Sequence, residues 1–340
     1  MPSALLFAIL ASANANHSQK EKERNRYMLR RFKNTKEKIL AGMLAAVMLF
    51  PMSLAGCKQS EMWKDAKGKV KVMTTIFPMY DFVRKVGGDH VAVEMMVPAG
   101  TEPHAWEPSS KDMRKLEEAD LFVYNGCGME LWADDVLKGV ANKKLTTLQA
   151  AEGIAAEGKQ IVADDPHVWL DPMLAAKEME NICDALSKVD PDHAEDYRRN
   201  FEAAFSKCEE LDAAYKERLA SYDGKYIVVA HEAYGYLCSA YGLNQIGIEG
   251  VSAESEPDAA RMREIIDMVE TYGISCIFFE ELVSPKVAET IAEETGCKTM
   301  ALSPLDGISQ EEIDAGNDYF SVMYENLDAL CDALGGENLG

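Results

Sequence analysis

The chain has 340 residues, room for two domains of ordinary size, and its 47 % apolar content supports a sizeable core and excludes global disorder. The formal charge of −22 is unevenly spread: residues 1–56 hold 9 basic and 3 acidic side chains, the remainder 26 basic and 54 acidic. A surface that acidic repels phosphate backbones, which excludes nucleic-acid binding, and it suits solubility and cations. In chain order the first element is an apolar run from Ile39 to Phe50, preceded by Arg30, Arg31, Lys33, Lys36 and Lys38. The run is too short to span a bilayer and has the form of a signal-peptide core.

That run ends at Leu54-Ala55-Gly56-Cys57, which resembles the lipobox of bacterial lipoproteins. The resemblance implies a lipid on Cys57 and an extracytoplasmic, membrane-anchored protein. Residues 28–56 then form the signal peptide, and residues 1–27 are expected to be a mis-called N-terminal extension. Residues 57–69, polar and lysine-rich, read as a tether. Seven cysteines follow Cys57, an odd number at wide spacings with no Cys-x-x-Cys, so buried thiols are expected rather than a disulfide framework.

From Val70 strands and helices alternate. Val70–Phe77, Val91–Val97 and Leu121–Tyr124 read as strands, and Met79–Val86 as a helix. A second helix, capped by Ser109 or Ser110, runs to about Ala119, and a third lies near Leu131–Val140. The pattern restarts with strands at Tyr226–Ala230, Gln245–Ile248, Ser275–Phe279 and Lys298–Leu302. Helices are expected over Pro257–Tyr272, Pro285–Thr295 and Tyr319–Leu334. This alternation argues for an α/β fold with parallel sheets covered on both faces. Between the halves, Tyr197, Phe201, Phe205, Cys208, Leu211, Tyr215, Leu219 and Tyr222 recur at three and four residues. They predict one long helix over about Pro191–Tyr222, able to join two lobes stiffly. The expected division is an N-terminal lobe over 70–190, a bridging helix over 191–223 and a C-terminal lobe over 224–340.

Of six histidines, His17 lies in the extension, and His90 and His193 sit in polar contexts that suggest solvent exposure. The other three lie in loops: EPHAWEP (His104), DDPHVWLDP (His167) and VVAHEAYGY (His231). His231 follows the strand YIVVA, His104 follows VAVEMMV, His167 follows the weaker strand-like Gln160–Val162, and Asp306 follows Lys298–Leu302. Ligands of open parallel sheets bind beyond the carboxyl ends of the strands. Three imidazoles and a carboxylate meeting there could hold a borderline divalent metal. Packing or capping is the competing reading of each single loop histidine.

At these residues the chain resembles the metal-binding receptors of bacterial zinc and manganese ABC transporters, the cluster A-I solute-binding proteins. The segments that carry the resemblance are TTIFPMYDFVRKVGGD, VPAGTEPHAWEPS, DDPHVWLDP, VVAHEAYGYL, YGLNQIGIEGVSAESEP, EELVSPKVAETIAEETG and LSPLDGIS, spread over about Val70 to Gly335. It implies two Rossmann-like lobes bridged by one rigid helix, with a metal between them. It implies His104, His167 and His231 as ligands, and Asp306 at the position of the fourth, carboxylate ligand. The third ligand is typically glutamate in manganese-type members, so His231 points to Zn²⁺, with Mn²⁺ as the alternative. The resemblance further implies delivery to an ABC permease and, through it, an ATPase, by a monomeric receptor that is not an enzyme. Binding needs neutral imidazoles, so affinity should fall below roughly pH 6.5. The chain departs from zinc-type relatives in its Ala151–Ala163 segment, which is short and lacks histidine. Glu130 and Asp171 are candidate partners of the ligands; Glu232, Glu280 and Glu281 are further nearby acids with surface, capping or outer-sphere roles. Two other functional classes share features with the chain. His231-Glu232 begins like the zinc-protease motif HExxH, but position 235 is glycine. A surface adhesin with a structural metal is the third reading.

Overall fold

The computed structural model describes residue 63 and residues 66–154, 165–251 and 257–335. Cys57, the signal segment, most of the tether and the strand-like Gln160–Val162 lie outside the described residues.

Among the described residues, eight short strands form two four-stranded sheets, and every pairing is parallel. The first sheet holds β1 (Val70–Thr74), β2 (Val91–Met95), β3 (Leu121–Tyr124) and β4 (Thr146–Gln149) in the order β2-β1-β3-β4. The second repeats the plan with β5 (Tyr226–Val229), β6 (Asn244–Gly247), β7 (Cys276–Phe279) and β8 (Lys298–Ala301) in the order β6-β5-β7-β8. In register, Val72 lies beside Val93 on one side and Leu121 on the other. Strands buried on both faces need near-continuous apolar runs, and VKVMT, LFVY, YIVV and CIFF supply them.

The strands expected over Val70–Phe77 and Val91–Val97 end three and two residues early, and three others end one residue early. Phe77 opens a helix, Phe77–Gly87, because Pro78 fits its first turn and ends the β1 run. The helix expected from Leu131 starts at Ala133, and Leu131 itself is 84 % exposed. Ser109 caps Ser110–Leu116 through a reciprocal capping box with Asp112. The helices Pro172–Val189, Gly235–Tyr241 and Gln310–Ala315 and the strand β4 are additions that the sequence reading lacked. The long element is a 3₁₀ turn Pro191–His193, an α-helix Ala194–Leu219 and a second 3₁₀ turn Ala220–Tyr222. Its buried face is Tyr197, Phe201, Ala204, Cys208, Leu211, Tyr215 and Leu219. These side chains belong to one continuous apolar core that also takes in Val72 of β1, Phe278 of β7 and Leu327 of the C-terminal helix Tyr319–Gly335. The long helix thus packs against Phe77–Gly87 and Pro172–Val189 in the first half and against Gly235–Tyr241 and Tyr319–Gly335 in the second. All seven cysteines after Cys57 are free thiols.

Candidate metal centre

Each sheet sends loops from the carboxyl ends of its strands toward one cleft. The first loop runs from β2 to the Ser109 cap. Within it, Gly100 adopts φ +75° and donates its N–H to the Ile308 carbonyl at 2.8 Å, tying this loop to the one after β8. His104 follows. His231 lies two residues beyond β5, and Asp306 five beyond β8. His167 precedes the 3₁₀ turn Val168–Leu170, which is seated by the indole N–H of Trp169 donating to Pro304 O at 2.8 Å. Leu305 is buried with φ +63°, a left-handed conformation costing about 1–3 kcal/mol in a branched residue. The loop tolerates it next to the carboxylate it presents. A Cβ at Gly307 would lie 3.2 Å from Thr101 O and from Leu282 Cδ1, close enough that its neighbours would have to shift by a few tenths of an ångström.

The four groups meet. His104, His167, His231 and Asp306 each offer a ligand atom, all within 4.8 Å of one another. The ring centroids form a near-equilateral triangle of 5.2, 5.5 and 5.1 Å. His167 Nε2 and His231 Nε2 face each other at 3.2 Å, and His104 Nε2 lies 3.7 Å from Asp306 Oδ2. Two donors on a tetrahedral zinc with bonds of about 2.0–2.1 Å sit about 3.4 Å apart, so both spacings suit one small ion. His104 Nε2 is buried without a hydrogen-bond partner. An acceptor left so is costly unless something polar fills the space it faces.

The back side of the site is also built. Asp165 Oδ1 lies 2.8 Å from His167 Nδ1 and accepts the His167 backbone N–H at 2.9 Å. Glu280 Oε1 lies 2.6 Å from His231 Nδ1. A carboxylate on Nδ1 fixes the tautomer and leaves Nε2 free, the arrangement typical of metal-ligating histidines. Electrostatics match the geometry. Burial, reinforced by the His231 charge, lowers His104 to about 4. Burial likewise holds His167 well below the usual imidazole range. For His231 burial also favours the neutral ring, but the Glu280 carboxylate outweighs it and raises the pKa to about 9. Burial lifts Asp165 and Asp306 to about 7 each. Titratable groups shifted this strongly by burial and by one another mark a functional site.

The two acids singled out as partners of the ligands have hydrogen bonds of their own. Glu130 is buried and accepts from Thr75 Oγ1 at 2.5 Å and from the N–H groups of Asn125 and Gly126, which shapes the loop after β3. Asp171 caps the helix Pro172–Val189 by accepting from Met173 N and Leu174 N. The carboxylates on the imidazoles are instead Asp165, which the sequence reading passed over, and Glu280, named there among the further acids. Asp165 was findable, since it stands two residues before His167 across a proline. His90 and His193 are not simply solvated: their rings stack at 3.9 Å, His90 faces Asp196 at 2.9 Å and His193 faces Asp190 at 2.7 Å.

Known proteins share this sequence and fold. Residues 72–333 match the family described as "Zinc-uptake complex component A periplasmic" (ZnuA). The high-affinity zinc uptake system protein ZnuA of Bacillus subtilis is 39 % identical over 285 residues, covering 79 % of this chain and 89 % of that protein. A zinc-binding protein AdcA of Streptococcus pyogenes is 41 % identical over 318 residues, 87 % of this chain; the match spans 61 % of that longer relative. Among solved structures, the Zn(II)-bound ZnuA-like domain of Streptococcus pneumoniae AdcA superposes with a TM-score of 0.70 at 40 % identity, covering 78 % of this chain and 99 % of the domain. The laminin-binding protein Lmb of Streptococcus agalactiae, described as a bifunctional protein with adhesin and metal transporting activity, gives 0.72 at 34 % identity, covering 78 % and 99 %. With its sequence matched from residue 72 to residue 333 and its two parallel-sheet halves shared with these structures, the chain belongs to the ZnuA family.

Proposed function

We propose that this chain is the extracytoplasmic receptor of a bacterial ABC import system, binding Zn²⁺ between its two halves and passing it to a permease. The observation that carries this reading is the convergence of His104, His167, His231 and Asp306 within 4.8 Å, with carboxylates behind two of the rings. In it the four groups are the ligands of the transported ion. Three nitrogen donors favour zinc over manganese, which prefers oxygen. Coordination by His231 would require its Nε2 to be free of a proton, which would pass to solvent. A lipid on Cys57 anchors the receptor; a relative from Streptococcus pneumoniae, 39 % identical over 301 residues, is named a zinc-binding lipoprotein. The halves divide at 190 and 223, with the long helix as the bridge.

Four ligands close a tetrahedral ion and leave no position for a reacting water, which argues for binding rather than hydrolysis. A zinc-protease motif also needs its residues on one helix, whereas the nearest helix begins only at Gly235, after His231 and Glu232. The likeness to Lmb supports adhesion as a second activity of the folded surface. Metal content and competition titration of the purified chain test the main reading. One equivalent of tightly held Zn²⁺, lost in His104→Ala, His167→Ala and His231→Ala, is expected. Tight Mn²⁺ with weak Zn²⁺ would replace zinc by manganese, and no stoichiometric metal would end the receptor reading.

A further inference from the structure

Three of the four site residues are fixed by a feature of their own. His167 has Asp165, His231 has Glu280, and Asp306 has the strained turn at Leu305. His104 differs: it is the one of the four that is only half-buried, and its Nε2 has no hydrogen-bond partner. What holds its backbone is Glu102. Glu102 Oε1 accepts the His104 N–H at 3.0 Å, and Oε2 accepts the Ala105 N–H at 3.4 Å. The carboxylate thus closes a turn around Pro103, and Trp106 N–H donates to the Pro103 carbonyl at 3.1 Å on the far side.

Glu102 lies on the most exposed of the loops that carry the four groups, and its carboxylate is held against the backbone of His104 and Ala105. An acidic side chain fixed there, beside the least buried of the four groups, attracts a cation approaching the cleft.

We propose that Glu102, outside the ligand set, is the positioning residue for His104 and the charge that draws the divalent cation into the cleft. The inference rests on the receptor reading. The two roles separate by substitution. Glu102→Gln keeps an oxygen for the His104 N–H but removes the charge. Glu102→Ala removes both. Glu107→Gln removes an exposed charge from the same loop and serves as the comparison.

The experiment is stopped-flow binding of Zn²⁺ alone to the full chain at several salt concentrations, with release followed by a chromophoric chelator. Glu102→Ala is expected to release zinc at least about 10-fold faster, the scale for losing a group that orients a ligand. Glu102→Gln is expected to bind several-fold more slowly at low salt, with a flatter salt dependence and near wild-type release. Glu107→Gln is expected to match the wild type. Wild-type release from Glu102→Ala overturns the positioning role. An unchanged salt slope in Glu102→Gln, or the same loss in Glu107→Gln, overturns the steering role. A wild-type chain that takes up no Zn²⁺ overturns the receptor reading and this inference together, an outcome distinct from variants that merely equal the wild type.

Discussion

Asp165 and Glu280 lie outside the group of four that could hold an ion, yet they set how well two imidazoles can serve one. Each sits within hydrogen-bond reach of an Nδ1 and leaves Nε2 facing the cleft. Asp165→Asn and Glu280→Gln should each weaken zinc binding by about 10–100-fold while the fold persists. Competition titration reads this directly, and wild-type affinity in both variants would show that the rings are aimed by packing alone. A second residue-scale prediction concerns Glu178 on the helix Pro172–Val189. It is fully buried, and neither carboxylate oxygen has a hydrogen-bond partner. Burial, with the Glu130 charge behind it, raises its pKa well above the usual range. The folded chain therefore keeps a proton that the unfolded chain releases above its ordinary pKa of about 4.3. Stability lost to this group is absent at lower pH and grows as pH rises toward the folded pKa, at most about 1.4 kcal/mol per pH unit. Glu178→Gln cannot ionise, so its stability relative to the wild type should be greater at pH 7.5 than at pH 5. Denaturant unfolding at both values measures that gap, and an equal gap would mean that Glu178 is ionised in the folded protein.

At the scale of elements, legibility followed local chemistry. The apolar runs of β1, β3, β5 and β7 announce central parallel strands, and the three-and-four spacing from Tyr197 to Leu219 announces the long helix. The helix Pro172–Val189 carries a local start signal in Asp171-Pro172, a side-chain cap followed by proline in the first turn. β4, with the sequence TTLQ, has only one strongly apolar residue and owes its place to pairing with β3 rather than to its own pattern. The long helix is only moderately amphipathic and depends on the core it enters. Leu211 is fully buried at its middle, and Tyr215 one turn on donates its hydroxyl to Met323 O at 2.6 Å. Leu211→Ala should therefore cost about 2–5 kcal/mol, the range for a large aliphatic removed from a packed core. A loss under 1 kcal/mol would mean that the helix is held mainly at its ends.

For the whole molecule the decisive feature is that one apolar core runs through both halves, in addition to a smaller cluster that each half keeps to itself. Had the halves only their separate clusters, the cleft could open as two bodies on a strap. Instead the long helix is buried under both halves, and further bonds cross the divide behind the site. Tyr319 O–H donates to Trp169 O at 2.7 Å, its N–H donates to Asp81 Oδ2 at 3.0 Å, and Lys85 reaches Asp318 at 2.6 Å. None of these crossings was readable in the sequence, since each joins residues more than a hundred positions apart whose types are common everywhere. The histidines were readable because three of six stood at loop positions whose chemistry had no structural duty nearby. A wide hinge closure would have to break the helix ladder or expose the shared core, a large part of the 5–15 kcal/mol by which domains are stable. Metal uptake should therefore move loops, above all the Gly100–Ser109 segment, and leave the halves in place. Small-angle scattering with and without Zn²⁺ should give the same radius of gyration within error. Thermal unfolding should show a single transition that rises with free zinc, because binding to the folded state alone adds RT ln(1 + [L]/Kd). A compaction comparable to that of hinge-closing receptors, or two separate transitions, would show that the halves behave as independent bodies and that the long helix bends.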